Sequence, residues 1–309
     1  MVQAKGVNVA VKTPLGLTVR ERIEKIILQG DVFGPVECSV SVDALGKECL
    51  QDDKHLYLYK DQVKIPMLAM VDDILSISEC GYKTSMVNSY INTKTSLKKL
   101  QFGIKKCFKM HVGKSHDEEV CPDLELDGWE VKVATEIDTK EVVMEDEYAG
   151  LHKMEEVSHD KYLGDIISSD GRNNKNIAAR TNRGTGVVNQ IMSMLEDICF
   201  GKFYFQVAMV FRNSLLISSL LTNAEAWYNI TSGEIEELER VDESLLRRVL
   251  ECPAVTPKEM LYLELGVSPI RSIITSRRLN FLQYILKENR DSMIQTFLMA
   301  QISDPTRLD

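Results

Sequence analysis

The chain has 309 residues, enough for one large or two ordinary domains around a sizeable core. Hydrophobic residues make up 44% and charged residues 27%, a globular composition that excludes a disordered chain. The formal net charge of −9, taken alone, argues against a nucleic-acid binder.

The first half mixes helix and strand signals. Leu17 to Leu28 is a helix candidate of mixed polarity. After breaks at Gly30-Asp31 and Gly34-Pro35, Val36 to Leu50 reads as a helix packed on a sheet. Leu56 to Tyr59 and Ile65 to Val71 read as strands, and Ile74 to Ser78 as a return strand. Tyr82 to Phe102 reads as a helix with Met86, Tyr90, Leu97 and Leu100 as apolar contacts, and Cys107 to Val112 as a strand. Between Ser115 and Asp160 sixteen acids face three lysines, which exceeds the whole charge deficit of the chain. This acidic insertion, 115–160, is expected to project into solvent as a loop or small hairpin. Leu124 to Leu126 and Trp129 to Ala134 would form that hairpin around Asp127-Gly128. Tyr162 to Ile167 is a further strand, closed by Ser169-Asp170-Gly171.

The second half is nearly all helix, and the switch near Gly171 is the domain boundary. Asn176 to Ile198 and Tyr204 to Leu221 are long apolar-rich segments, yet no apolar run is read as a membrane span. Thr231 with Glu234 makes a capping box before Ile235, Leu238, Val241, Leu245 and Val249. Thr256-Pro257-Lys258-Glu259 reads as a second, with Pro at the first helical position. Ser268-Pro269 opens a helix with Ile270, Ile274, Phe281 and Ile285 along one face.

Cys38, Cys49, Cys80, Cys107, Cys121, Cys199 and Cys252 are scattered without CxxC spacing, which argues against a zinc site or disulfide framework. With no signal peptide visible, an intracellular location in cytoplasm or nucleus fits this set. His111, His116, His152 and His159 form no ligand spacing and read as surface or loop residues. Outside the acidic insertion the chain is near neutral or slightly basic. Arg172, Lys175, Arg180 and Arg183 recur at spacings that put them on one helix, facing a phosphate backbone or simply solvent.

The strongest chemical signal is Asp72-Asp73, set between Ile65-Pro66-Met67-Leu68-Ala69-Met70-Val71 and Ile74-Leu75-Ser76-Ile77. The aspartates are expected to make the turn themselves and lift two carboxylates to the tip of a buried strand pair. Two like charges so close repel, and a hard divalent cation removes that cost. An Asp-Asp turn on a solvated hairpin is the plainer alternative.

Four signals follow a fixed order: Gln29-Gly30-Asp31-Val32-Phe33-Gly34-Pro35, then Met70-Val71-Asp72-Asp73, then Lys105-Lys106-Cys107-Phe108-Lys109-Met110, then Tyr162-Leu163-Gly164-Asp165-Ile166-Ile167-Ser168. Thr13-Pro14-Leu15-Gly16-Leu17-Thr18 precedes the first, and Asp170-Gly171 closes the last. With this ordered set the chain resembles the reverse transcriptases of non-LTR (LINE-type) retrotransposons over essentially all its length. Ala224-Glu225-Ala226-Trp227 and Leu246-Arg247-Arg248-Val249-Leu250 resemble the thumb and post-thumb region.

The resemblance implies an α+β fold. Residues 1–170 would form a partial polymerase palm, an antiparallel sheet with helices, and residues 171–309 an all-α thumb-like domain. It implies Asp72 and Asp73 as catalytic ligands of Mg²⁺ or Mn²⁺, and Lys106 as a lysine that protonates or stabilises pyrophosphate. Gln29 and Gly30 would contact template and incoming nucleotide, and Tyr162, Leu163 and Gly164 would grip the primer. The partners would be an RNA template, a DNA primer and dNTP, with no membrane. Each motif has a plainer counterpart: a helix-to-helix turn at Gln29-Gly30, a solvated Lys106 with Lys105 competing, and an edge strand with a Gly bulge at Gly164.

Two departures matter. Met70 stands where the family has Tyr or Phe, a position Met can still pack. The family's first metal-binding aspartate lies upstream of the Gln-Gly motif, and Val2 to Val11 offers no acid. The expectation is therefore a fragment without fingers or that aspartate, inactive alone unless a partner supplies the missing strand. A non-catalytic nucleic-acid-binding remnant using the basic helix, and a relic frame without function, are the alternatives.

Overall fold

The computed structural model describes residues 7–9, 12–13, 16–17, 21–23, 34–50, 57–59, 63–65, 67–78, 81–97, 102–103, 106–112, 125–133, 144–196, 203–287 and 292–303. They form a mixed α+β chain of small sheets and several helices. It divides into two compact units, 1–109 with 115–157, and 110–114 with 158–309. The hairpin at 159–168 thus belongs with the helices that follow it.

In the first unit, β1 (Val7–Val9), β2 (Lys12–Thr13), β3 (Gly16–Leu17) and β4 (Glu21–Ile23) make two antiparallel pairs, β2–β3 within β1–β4. The helix expected from Leu17 to Leu28 is strand wherever it is described, because Val7-Asn8-Val9 offers Glu21-Arg22-Ile23 a pairing partner. Helix α1 (Gly34–Leu50) carries Pro35 in its first turn, where the missing N–H costs nothing. Strands β5 (Tyr57–Tyr59) and β6 (Val63–Ile65) pair, then β7 (Leu68–Met70) and β8 (Asp73–Leu75).

Helix α2 (Gly81–Leu97) buries Val87, Ile91 and Thr95 one turn apart, whereas the expected contact Met86 lies exposed. A small core joins Val42 and Leu45 of α1, Met67, and Val87 and Ile91 of α2, with Ile74 of β8 against it. That core seats the aspartate hairpin.

Strand β9 (Phe102–Gly103) follows, then β10 (Phe108–Lys109), β11 (Glu125–Val133), β12 (Met144–Lys153) and β13 (Glu155–Glu156). The acidic segment is larger than the small hairpin expected. Strands β11 and β12 pair antiparallel along their length, and β9 joins β11 in parallel. Asp127-Gly128 is no turn: it lies inside β11, where a register shift between Gly128 and Trp129 absorbs it. Among the described residues the strands form seven separate sheets, two of them with parallel pairs, rather than a single continuous antiparallel sheet.

The second unit opens with β14 (His159–Tyr162) and β15 (Asp165–Ser168), an antiparallel hairpin. The single strand expected from Tyr162 to Ile167 is broken by Leu163 and Gly164, at φ 48° and 92°, a type I′ turn. Helix α3 (Asn174–Glu196) is followed by α4 (Tyr204–Phe211), a π-helical turn (Arg212–Leu216) and α5 (Ile217–Leu221). Contrary to the sequence reading, the run Tyr204–Leu221 is long and apolar enough to cross a membrane. Its inner side supplies Ala208, Leu216, Leu220 and Leu221 to the core of this unit.

Helix α6 (Ser232–Val249) starts at the capping box: Thr231 Oγ1 accepts from Glu234 N, and Thr231 N donates to Glu234 Oε2 at 2.7 Å. Helix α7 (Lys258–Leu265) has no such box. Pro257 occupies the cap position itself, where no side chain accepts a hydrogen bond. Gly266 at φ 61° ends it. Helix α8 (Ile270–Lys287) buries Ile270, Ile274 and Ile285 as expected, but Phe281 is partly exposed. A last helix, α9 (Met293–Ile302), capped by Ser292, was not foreseen.

The main core of the unit packs α3 against α5 and α6. Within it Arg212 Nε and Nη2 donate to both carboxylate oxygens of Asp242 at 2.7 Å, and Nη2 also donates to Ser268 O at 3.0 Å.

Helix α3 makes its close approach at Gly184. A Cβ there would lie 2.5 Å from Leu220 Cδ2 and 3.1 Å from Val241 Cγ1, both on buried side chains, whereas one at Gly186 would meet nothing. Gly186→Ala is expected to stabilise the unit by about 0.5–1 kcal/mol. Gly184→Ala is expected to destabilise it, since overpacking costs about 1–3 kcal/mol against that gain. Denaturant unfolding of both variants checks the opposite signs.

Candidate functional site

The register Leu68↔Leu75, Ala69↔Ile74, Met70↔Asp73 leaves Val71 and Asp72 as a two-residue loop. The turn is therefore Val71-Asp72, and Asp73 opens the return strand. This corrects the expectation that the two aspartates form the turn. Val71 has φ 59° while Asp72 stays on the negative side, which makes a type II′ turn with valine where glycine is usual. A β-branched residue there costs about 1–2 kcal/mol, and such strain is concentrated at functional sites.

Both carboxylates are exposed. The strand pair beneath them is less buried than expected, with Leu68 39% and Met70 59% exposed. Burial pushes the Cys38 thiol of α1 up, and the Asp72 charge adds to it. Among the described residues no group of three or more His, Cys, Asp or Glu side chains gathers as a metal site.

Lys106 is exposed, and burial pushes its neighbour Cys107 up. The buried lysine of this region is Lys109, 3.8 Å from Glu156 Oε2. Strand alternation across Cys107 to Val112 hid it, because a lysine on the inner side has no apolar signature. Gln29 and Gly30 lie outside the described residues.

Tyr162, Leu163 and Gly164 shape the β14–β15 turn. Its carbonyls are engaged: Leu163 O accepts from Asn223 Nδ2 at 3.3 Å and Gly164 O from Arg180 Nη2 at 3.1 Å. The residue that anchors the turn is Asp165. Its carboxylate accepts from Asn176 Nδ2 at 2.9 Å, Arg180 Nη2 at 2.7 Å, Asn223 Nδ2 at 2.8 Å and Trp227 Nε1 at 3.2 Å. Burial raises this carboxyl, but hydrogen bonds from Asn223, Arg180 and Asn176 and the Arg180 charge outweigh it and hold it below its usual range.

Arg180 is 3% exposed, also donates to Ser219 O at 3.1 Å, and lies 5.8 Å from the Trp227 ring centroid. This corrects its assignment to a phosphate-facing surface. The helix pattern placed it with Arg183, but Arg180 is buried and Arg183 exposed. Arg172 and Arg183 are exposed, and Lys175 is half-buried with Nζ 2.9 Å from His159 Nδ1. Asp165 and Trp227 both stand in the quoted motifs. Only their partnership was missed, since 62 residues separate them.

No family model, no curated protein and no solved structure matches the chain.

Asp165→Ala leaves Arg180 buried and unpaired, so a loss of about 3 kcal/mol is expected in denaturant unfolding. The native carboxyl lies below its unfolded value of about 3.9, so its contribution is full above that pH and disappears as pH falls through the folded value. Asp165→Asn is expected to flatten that acid limb. Val71→Gly is expected to stabilise the first unit by about 1 kcal/mol, read from thermal or denaturant unfolding.

Proposed function

We propose that this chain is a reverse-transcriptase-like domain of the non-LTR retrotransposon type, an RNA-directed DNA polymerase relative that binds nucleic acid and does not extend a primer by itself. In this reading residues 1–170 correspond to part of the palm and 171–309 to the thumb. The observation that carries it is the strained two-residue turn at Val71, which lifts Asp72 and Asp73 into solvent on a hairpin seated by α1 and α2.

Mg²⁺ or Mn²⁺ would sit on Asp72 and Asp73, and when bound would supply charge neutralisation for phosphoryl oxygens. The protein's own part is to hold the two carboxylates at one fixed point of a rigid turn. A two-metal centre takes more ligands than these two, so a partner supplying a third carboxylate would complete it. Lys106 is free to swing toward a phosphate, being exposed. The preorganised turn Tyr162-Leu163-Gly164 would present a fixed edge to a primer strand. RNA template, DNA primer and dNTP are the partners of this reading, which places the chain in cytoplasm or nucleus.

The second reading, a non-catalytic nucleic-acid-binding remnant, is favoured by Arg172 and Arg183. Both are exposed, and no hydrogen bond or ion pair to a described residue engages their guanidinium groups. Arg180 has no part in it.

One set of assays separates these readings. Titration calorimetry with Mn²⁺ is expected to show weak binding that Asp72→Asn and Asp73→Asn abolish. Primer–template binding is expected to fall with salt, to survive Asp72→Asn, and to lose about one unit of salt slope for each of Arg172→Gln and Arg183→Gln. Template-dependent dNTP incorporation abolished by Asp72→Asn would overturn the inactive state and keep the polymerase reading. Cation binding indifferent to both aspartates would overturn the polymerase reading itself.

A further inference from the structure

Two aromatic residues stand side by side between α5 and α6, and they have opposite fates. Trp227 is buried, with its indole Nε1 donating to Asp165 Oδ1 at 3.2 Å. Tyr228 is 66% exposed, and no hydrogen bond, ring contact or cation from a described residue engages its side chain. A single exposed apolar side chain is ordinary on a protein surface. The backbone beneath this ring and the charge beside it are not.

The backbone is pinned from two helices. Tyr228 O accepts from Nδ2 of Asn173, directly before α3, and Trp227 O accepts from Arg278 Nη2 of α8. At the other end of the stretch, Leu221 O accepts from Arg277 Nη1. With Trp227 and Asn223 also tied to Asp165, the peptide that carries the ring is fixed in place. A ring held this way loses little conformational entropy when a flat partner stacks on it.

Most charges at this place are already engaged. Arg277 and Arg278 hold carbonyls, and Lys175 Nζ lies 2.9 Å from His159 Nδ1. Asp170 Oδ1 accepts from Arg172 N at 3.0 Å, Glu234 is turned back onto Thr231, and Glu225 is half-buried in the stretch itself. The guanidinium of Arg172 is exposed, and no hydrogen bond or ion pair to a described residue engages it. Arg172 is the direct neighbour of the Asn173 that holds Tyr228. An open aromatic face beside an open guanidinium suits one ligand chemistry, a planar base joined to a phosphate. A sugar would use the ring and leave the cation idle. An acidic peptide would use the cation and leave the ring idle.

We propose that Tyr228 is a stacking platform for a base of single-stranded nucleic acid, whose adjoining phosphate is held by Arg172. The proposal rests on the nucleic-acid reading above. It adds a contact to a base, where Arg172 and Arg183 alone would contact only the backbone.

Fluorescence anisotropy with a short oligo(dT) strand and an abasic strand of the same length tests it, since both carry the same phosphates. The wild type is expected to bind oligo(dT) more tightly than the abasic strand. Tyr228→Ala is expected to weaken oligo(dT) binding about 5- to 150-fold and to leave both the abasic strand and the salt slope unchanged. Tyr228→Trp is expected to retain the affinity. Arg172→Gln is expected to lower the salt slope by about one unit on both strands. The Tyr228 side chain is exposed, and circular dichroism checks folding, with Tyr228→Leu as a second ring-free variant should the alanine variant unfold. Equal affinity of the wild type for the two strands overturns the proposal. Ring-free variants that bind oligo(dT) like the wild type, while Arg172→Gln still weakens it, overturn the role of Tyr228 and leave the nucleic-acid reading standing. A wild type that binds neither strand overturns both.

Discussion

The Asp165 carboxylate accepts hydrogen bonds from two distant stretches of chain, α3 through Asn176 and Arg180, and the segment after α5 through Asn223 and Trp227. A desolvated carboxylate is tolerable only because these donors converge on it, and Arg180 is tolerable in the interior only because of the carboxylate. The dependence is mutual. The β14–β15 turn, the start of α3 and the segment 222–228 are therefore held as one piece. The turn reaches its type I′ geometry with both of its carbonyls already satisfied.

A second buried charge pair sets the arrangement deeper in the same unit. Arg212 lies in the π-helical turn of an otherwise apolar run and meets Asp242 of α6 in a two-pronged geometry, with Ser268 O beyond it. Such a pair adds little net stability compared with an apolar replacement. What it contributes is register: a guanidinium and a carboxylate match both prongs in one alignment of the helices only. Tyr204–Leu221 stays apolar enough for a span although it carries this arginine, and the residue that pairs with the arginine lies 30 positions away.

Helix starts and stops were legible where local chemistry decides them. Thr231 and Glu234 satisfy each other within one turn, and Pro35 opens α1, so no distant partner was needed. The Asp72 hairpin was legible for a similar reason, a polar pair between two apolar runs. Its turn was placed one residue late, because valine in a left-handed conformation is a choice that no local propensity predicts. Asp127-Gly128 shows the opposite case. It is a strong turn signal overridden by Met144–Lys153, which supplies a partner along the whole strand. Arg180 was misread because a buried cation looks like a surface one until its partner is found.

The sequence by itself determined where α6 and α8 begin, the capping box of Thr231 with Glu234, and the adjacency of two carboxylates on a tight hairpin. Each is settled within a few residues by backbone sterics and hydrogen bonding. Only the tertiary structure decided which charged residues face inward and where the short strands pair. Those outcomes depend on groups tens of residues apart meeting in space, and a linear pattern carries no record of which groups meet.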